Sequence, residues 1–445
     1  MKRPLIYYAI AVFMGCFSSI VLDSSILFGT VIAVLFFVSI FFTLDSKLFI
    51  IIISFFFIGC FSIYIYFNFS LSKKADFRII ENKNRYCIAK CKGRKIILLG
   101  NTNRLKDGYE ITATGNFTYN KNYFNGVVGT YRVEKYIEKN KDFICKLYDM
   151  KRNIYYSYSE ILGGEKTGII MATAYGDTKY LSQQYKDQFN RLGICHIISV
   201  SGFHMALVYK ILECIIGVKL ALVSSFAYLM FTGAKAATIR AYVMIFILKL
   251  SKVVYKNYDS ISALSLAAII LFLIRPYYIL NIGFMLSFLS TLGIILYRKK
   301  IKRVLYKLPE KINNSLSITL SAQIFSMPYV MCTINNISLF FIPANLILVP
   351  LYSVLIFLAN LGVLVYKVTP IFKIITSILY LIITAIDGAN YILLKFAPPI
   401  IIYNYFYGID LMILFMSYVF VKKGYRIVKY VPLLLLCFII VYNVI

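Results

Sequence analysis

Hydrophobic positions come in long blocks at both ends of the chain, separated by a polar stretch with a different rhythm. Apolar runs at about 4–22, 25–42 and 48–69 are of the length that crosses a bilayer as a helix. Between residues 70 and 165 the pattern shifts to short alternating segments interrupted by Gly and Asn. Stretches 85–92, 94–101, 109–118 and 126–137 predict strands, with turns at 92–94, 106–108 and 120–126. Four or five short strands in about 60 residues predict a small β-barrel of the OB type, or else a simple sandwich. Apolar runs resume at about 194–217, 218–233, 236–251, 258–274, 282–297, 314–333, 338–366, 374–396, 404–421 and 427–445. The run at 338–366 carries Pro343 and Pro350 around Asn345, which predicts a broken helix. Some of the shorter runs fit re-entrant segments. The expected organisation is N-terminal membrane helices (1–69), a β domain (70–142), amphipathic linker helices (143–192) and a helical membrane domain (193–445).

Composition strengthens the membrane assignment. The chain is 60% hydrophobic and 15% charged, well under the quarter charged residues of soluble domains. Lys2 and Arg3 precede the first apolar run, but two further runs follow at once and no small-residue cleavage site stands out, so the first run is read as retained. Basic residues then set a topology. A cytoplasmic N-terminus puts 70–165 outside; five more crossings bring Arg298, Lys299, Lys300, Lys302 and Arg303 inside, and four more do the same for Lys422, Lys423, Arg426 and Lys429. The fold class expected is a polytopic α-helical membrane protein of about 13 hydrophobic helices with an inserted, extracytoplasmic, OB-like β-barrel.

Net charge is +29, and topology accounts for only part of it. The segment 70–165 alone holds 19 Lys and Arg against 10 Asp and Glu. Nothing about insertion favours a basic outer domain, so this surplus requires a reason of its own. Of the nine cysteines, Cys87, Cys91 and Cys145 lie outside the apolar runs. Cys87 and Cys91 are about 13 Å apart on a straight strand, too far to bridge each other. Cys145 bridged to one of them, or three free thiols, both fit.

The least membrane-like stretch of the second apolar half runs from Gly193 to His204 and holds both histidines, His196 and His204, with Ser199, Ser201 and Gly202. Polar groups at membrane depth mark a path or a site, or else a close helix contact through small residues. Eight residues separate the two histidines along a helix, about 12 Å, so they do not share a metal. A serine nucleophile lacks its Gly-x-Ser-x-Gly elbow. Arg240 lies inside an apolar run, where it either pairs with a carboxylate such as Asp387 or Glu213, or faces an anionic substrate. Residues 163–167 do not complete a Walker A motif, so the chain does not power itself with ATP.

These residues carry a resemblance. The series Gly176-Asp177 with Leu181-Ser182, then His196 through His204, then Gly233, Arg240, Ala241 and Met244, continues with Arg275-Pro276 and Gly283 to Phe288 including Ser287. It ends with Ala322-Gln323, Pro328, Ala344-Asn345-Leu346 and Val349-Pro350. In this order, over about 160–365, it is similar to the ComEC competence family. The resemblance implies a channel for single-stranded DNA across the bacterial inner membrane during natural transformation, with Gly176, Asp177, His196, Ser199, Ser201, Gly202, His204, Arg240, Gly283, Ser287, Gln323, Pro328, Asn345 and Pro350 in the channel. The OB-like domain would meet DNA first, through Arg85, Lys90, Lys92, Arg94 and Lys95, with Tyr119 among the tyrosines offering stacking faces. Partners implied are single-stranded DNA, the lipid bilayer, a cytoplasmic helicase-like ATPase, an outer DNA receptor and, as an option, a second copy of the chain. Inward movement of phosphate opposes an inside-negative potential at about 2.3 kcal/mol per charge per 100 mV, hence the ATPase. Many family members continue into a metallo-β-lactamase-like nuclease domain. This sequence stops at Ile445 and has no His-rich motif, so a non-enzymatic channel without cofactor or metal is expected, with a separate nuclease or a truncated sequence as the two explanations. The competing readings are a secondary transporter or exporter of an anionic envelope polymer, and a membrane enzyme acting on the envelope.

Overall fold

The computed structural model describes residues 3–43, 45–83, 85–102, 105–334, 336–338, 340–399, 401–402, 405–422, 429–432 and 434–435. Most of the expected last span (427–445), Cys437, and the basic residues Lys2, Lys423 and Arg426 lie outside the described residues. Among the described residues, six helices are long and apolar enough to cross a membrane: α1 (Pro4–Ser24), α3 (Ser46–Phe67), α8 (Gly202–Phe231), α11 (Ile282–Val304), α13 (Phe341–Val365) and α14 (Thr369–Phe396). The chain is therefore a multi-pass membrane protein. Shorter apolar helices are α2 (Ile26–Phe41) and α10 (Ser260–Ile274). The helices α4 (Phe143–Leu162), α5 (Gly164–Tyr175), α6 (Gln183–Leu192), α7 (Cys195–Ile198), α9 (Ala236–Val253), α12 (Glu310–Thr333) and α15 (Tyr405–Lys422) complete the helical set among the described residues.

One expected helix boundary holds and one expected break does not. The runs at 194–217 and 218–233 meet at Gly217, whose φ of 75° and ψ of 171° are non-helical and divide α8 there, although its first part begins only at Gly202. Conversely, 338–366 is not divided into two helices: α13 runs from Phe341 to Val365 with Pro350 inside. Pro343 falls in the first turn, where no intrahelical N–H bond is lost.

The chain forms two units. The first comprises residues 1–181, 198–285 and 353–383. Within it α1 and α3 pack backbone to backbone, because Gly15 and Gly59 present no side chain: a Cβ at Gly15 would lie 2.0 Å from the Phe56 oxygen, and one at Gly59 2.4 Å from that of Val12. The thiols of Cys16 and Cys60 donate across this contact to Gly59 and Gly15 carbonyls at 3.3 and 3.2 Å.

The polar segment of this unit is a closed five-stranded barrel of β1 (Lys74–Asn82), β2 (Cys87–Cys91), β3 (Arg94–Gly100), β4 (Glu110–Asn122) and β5 (Val127–Glu138). Strand order is β1-β2-β3-β5-β4, with β3 and β5 parallel and the other pairs antiparallel. Alternation places Phe77, Ile79, Cys87, Ala89, Cys91, Ile96, Leu98, Ile111, Ala113 and Tyr131 in the interior. The disulfide option falls. Cys87, Cys91 and Cys145 are all free and buried; the Cys87 thiol donates to the Thr102 carbonyl, and that of Cys145 to Gly108 at 3.1 Å.

The second unit comprises 182–197, 286–352 and 384–445. In it β6 (Asn336–Ile337) pairs antiparallel with β7 (Ile401–Ile402). Gly293 packs its backbone against Ser321 of α12, where a Cβ would meet the Ser321 oxygen at 2.2 Å. Ser338 donates to the Arg191 carbonyl at 2.6 Å, and Arg191 to that of Ala397 at 3.1 Å.

Candidate nucleic-acid interface and membrane polar cluster

Inward Phe77 and Ile79 force Arg78 outward on β1, inward Ala89 and Cys91 do the same for Lys90 on β2, and inward Ile96 for Lys95 on β3. Register then lines them up, since Arg78 pairs with Lys90, and Lys90 with Lys95. Three cations thus run across three adjacent strands, an arrangement that like-charge repulsion disfavours. Arg78 is compensated. Its guanidinium donates to both Asp142 oxygens at 3.1 and 2.7 Å and to Glu110 at 2.7 Å, and Arg78 holds the Asp142 carboxyl well below the usual carboxylate range.

The two lysines have no such neutralisation. Lys90 makes no hydrogen bond or ion pair among the described residues; burial foremost, then Arg275 and Arg78, brings its ammonium down to about 8. Lys95 donates to the Asn125 carbonyl at 3.1 Å and lies 4.8 Å from the Tyr277 ring centre. Burial, then Arg275 and Lys90, brings it to about 8 as well, against a weaker opposing pull from Glu81.

Other basic and aromatic residues of the barrel have structural engagements. Arg94 donates to the carbonyls of Tyr66 at 3.0 Å and Ile65 at 2.6 Å, the end of α3 where carbonyls lack helical partners, and lies over the Phe69 ring. The Tyr119 hydroxyl donates to the Phe67 carbonyl. Lys121 and Tyr123 both bind Asp23, at 3.1 and 2.6 Å. Lys92, with φ of 46°, sits exposed in the β2–β3 turn, and Arg85 is exposed before β2. Sequence reasoning missed Arg78, because β1 follows an apolar helix directly and shows only a brief alternation.

A second cluster forms in the helical part of the first unit. Gly176 ends α5 with φ of 69°, and its carbonyl accepts from the Lys235 ammonium at 2.8 Å. Asp177 accepts from the Lys179 N–H at 3.3 Å and acts electrostatically on Lys151, which burial brings to about 8. Lys151 and Lys235 escaped the sequence reading, since only the fold brings them to the Gly-Asp turn.

Ser201 and His204 meet at the start of α8. The Ser201 N–H donates to His204 Nδ1 at 3.0 Å, and Ser201 Oγ lies 2.8 Å from the same nitrogen. Nδ1 therefore accepts, and the pair works as a helix cap rather than as a nucleophile and base. Gly202 lets Arg240 approach: a Cβ there would lie 2.6 Å from Arg240 Nη2. Arg240 is buried in α9, beside the positive end of α8. Glu213, one carboxylate expected for Arg240, pairs with Lys249, while Asp387 accepts from the Tyr185 hydroxyl at 3.1 Å. Ser199 is exposed in the bend before α8. Gly283 lies in the first turn of α11, where Asn281 accepts from the Phe284 N–H at 2.9 Å.

In the second unit His196 is exposed on α7. Gln323 accepts from Ser326 at 3.1 Å, and Pro328 and Asn345 are buried in α12 and α13. Ser287 is half-buried on α11, its carbonyl taking Thr291 at 2.8 Å.

Comparison with known proteins adds the following. Residues 174–428 match the family described as Competence protein. ComE operon protein 3 of Bacillus subtilis is 25% identical over 265 residues, which cover 57% of this chain and 34% of that relative. The chain thus spans about a third of the length of the curated relative it matches. No solved structure matches it.

Proposed function

The chain belongs to the competence protein family, and from that premise we propose that it conducts single-stranded DNA across the bacterial cytoplasmic membrane during natural transformation. The supporting observation is the Gly202–Arg240 contact. A buried guanidinium and the N-terminal end of α8 converge there, both favouring an anion, within the matched region. A phosphate chain moving past such a point exchanges hydration for fixed positive charge. In this reading the N-terminus is cytoplasmic and the barrel lies outside. Its strand order is that of an OB fold, a frame that binds single strands in basic grooves. Further apolar helices cross to give about 13 spans, with Gly176–Asp177 and the polar residues of α11, α12 and α13 along the path. Pulling falls to a cytoplasmic helicase-like ATPase and delivery to an outer DNA receptor.

Deleting the gene and scoring transformation with linear DNA tests the role, and normal transformation removes it. At residue level, Arg240→Ala and His204→Ala should each lower transformation at least about tenfold, the equivalent of about 1.4 kcal/mol, with membrane abundance unchanged. A matching fall in abundance would assign both residues to packing instead.

A further inference from the structure

Lys90 and Lys95 stand directly opposite each other on β2 and β3, facing outward. Arg78, next in the row, shows how this fold neutralises a cation, with two carboxylates on one guanidinium. For Lys90 and Lys95 it provides no such carboxylate pair: Glu81 acts on Lys95 only electrostatically and as the weakest of the influences on it. Lys95 itself and a third cation, Arg275, are nonetheless held in place. Lys95 is fixed by the Asn125 carbonyl and lies over the Tyr277 ring. Arg275, whose charge reaches both lysines, is fixed by the Ala234 carbonyl at 3.0 Å and by the Tyr278 hydroxyl. Pro276–Leu280, the short 3₁₀ turn that follows Arg275, packs on the barrel, with Gly126 against the Tyr277 ring and Tyr66 of α3 donating to the Gly126 carbonyl at 2.9 Å.

Three cations from two strands and an interhelical turn thus converge at the junction of the barrel and the helices. For the two lysines, half-burial and repulsion from Arg275 make the arrangement unfavourable unless an anion completes it. Resting on the channel reading, we propose that Lys90, Lys95 and Arg275 form a seat for one phosphodiester of a single-stranded nucleic acid, the point where the strand passes from barrel to membrane helices. A lone lipid headgroup would satisfy the seat. It would leave uncompensated the surplus of basic residues along 70–165, 19 against 10 acidic. A polyanion accounts for both.

The test uses the purified full chain in neutral-lipid nanodiscs, with fluorescence anisotropy of a labelled oligothymidylate over a salt series. Lys90→Gln with Lys95→Gln, and separately Arg275→Gln, are compared with Lys299→Gln, a control on α11. The seat requires about tenfold weaker binding at low salt in both test variants, a salt slope shallower by about 0.7 for the lost phosphate contact, and partial recovery in Arg275→Lys. Thermal melting with and without inorganic phosphate provides the folding check: phosphate should raise the wild-type midpoint and leave the glutamine variants unmoved. If the wild-type chain binds the oligonucleotide and folded variants bind it equally well, the seat is wrong and the channel reading stands. If the wild-type chain binds no oligonucleotide even at low salt, both fall. Variants that lose binding to phosphatidylglycerol nanodiscs but keep the oligonucleotide would assign the cations to lipid and overturn the proposal.

Discussion

Lys90 and Lys95 give the molecule a definite pH response. Each titrates near 8 in the folded chain, below the ordinary lysine value of 10.5, with burial as the main cause. Between these limits the unfolded chain binds more protons than the folded one, so stability rises with pH. The melting midpoint of the purified chain should therefore climb from pH 8 toward pH 10, and the climb should flatten in the Lys90→Gln, Lys95→Gln double variant. A midpoint that falls over this range in wild type but not in the variant would show the ammoniums to be stabilised, not penalised. At this scale the sequence named candidate residues but was silent about who meets whom. The row from Arg78 to Lys95 exists only because of strand register, and Arg240 reaches Gly202 only because α8 and α9 pack there.

Elements were legible where periodicity was sustained. The four predicted strands 85–92, 94–101, 109–118 and 126–137 correspond to β2 to β5 within a few residues. β1 was hidden because Lys74–Asn82 follows an apolar helix and buries only Phe77 and Ile79 fully. Proline misled at α13: Pro343 falls in the first turn, where no intrahelical N–H bond is lost, and the helix continues past Pro350 in its interior. The α1–α3 contact was also invisible, since glycine in an apolar run leaves no periodic mark. It sets a firm expectation: Gly59→Leu should destabilise the chain by about 1–3 kcal/mol through overpacking, seen as a lower melting midpoint and reduced membrane abundance. Unchanged values would mean the two backbones do not approach as closely as Gly59 and Val12 indicate.

For the whole molecule, the membrane class followed from hydropathy alone, whereas the sidedness of the barrel rests on the distribution of basic loops. A cysteine-free background carrying Lys92→Cys or Lys300→Cys decides it, because both positions are exposed. An impermeant maleimide should label position 92 in intact spheroplasts and position 300 only after permeabilisation. Reversed labelling would put the barrel in the cytoplasm and end the proposed path. The barrel is moored to the helices at several points: Arg94 and Tyr119 to the last carbonyls of α3, and Lys121 with Tyr123 to Asp23 at the end of α1. A module so lashed down cannot sweep a volume in search of a strand. On the proposed function, capture would then depend on how far loose DNA ends wander to it, and encounter rates should track the flexibility of the nucleic acid and not that of the protein.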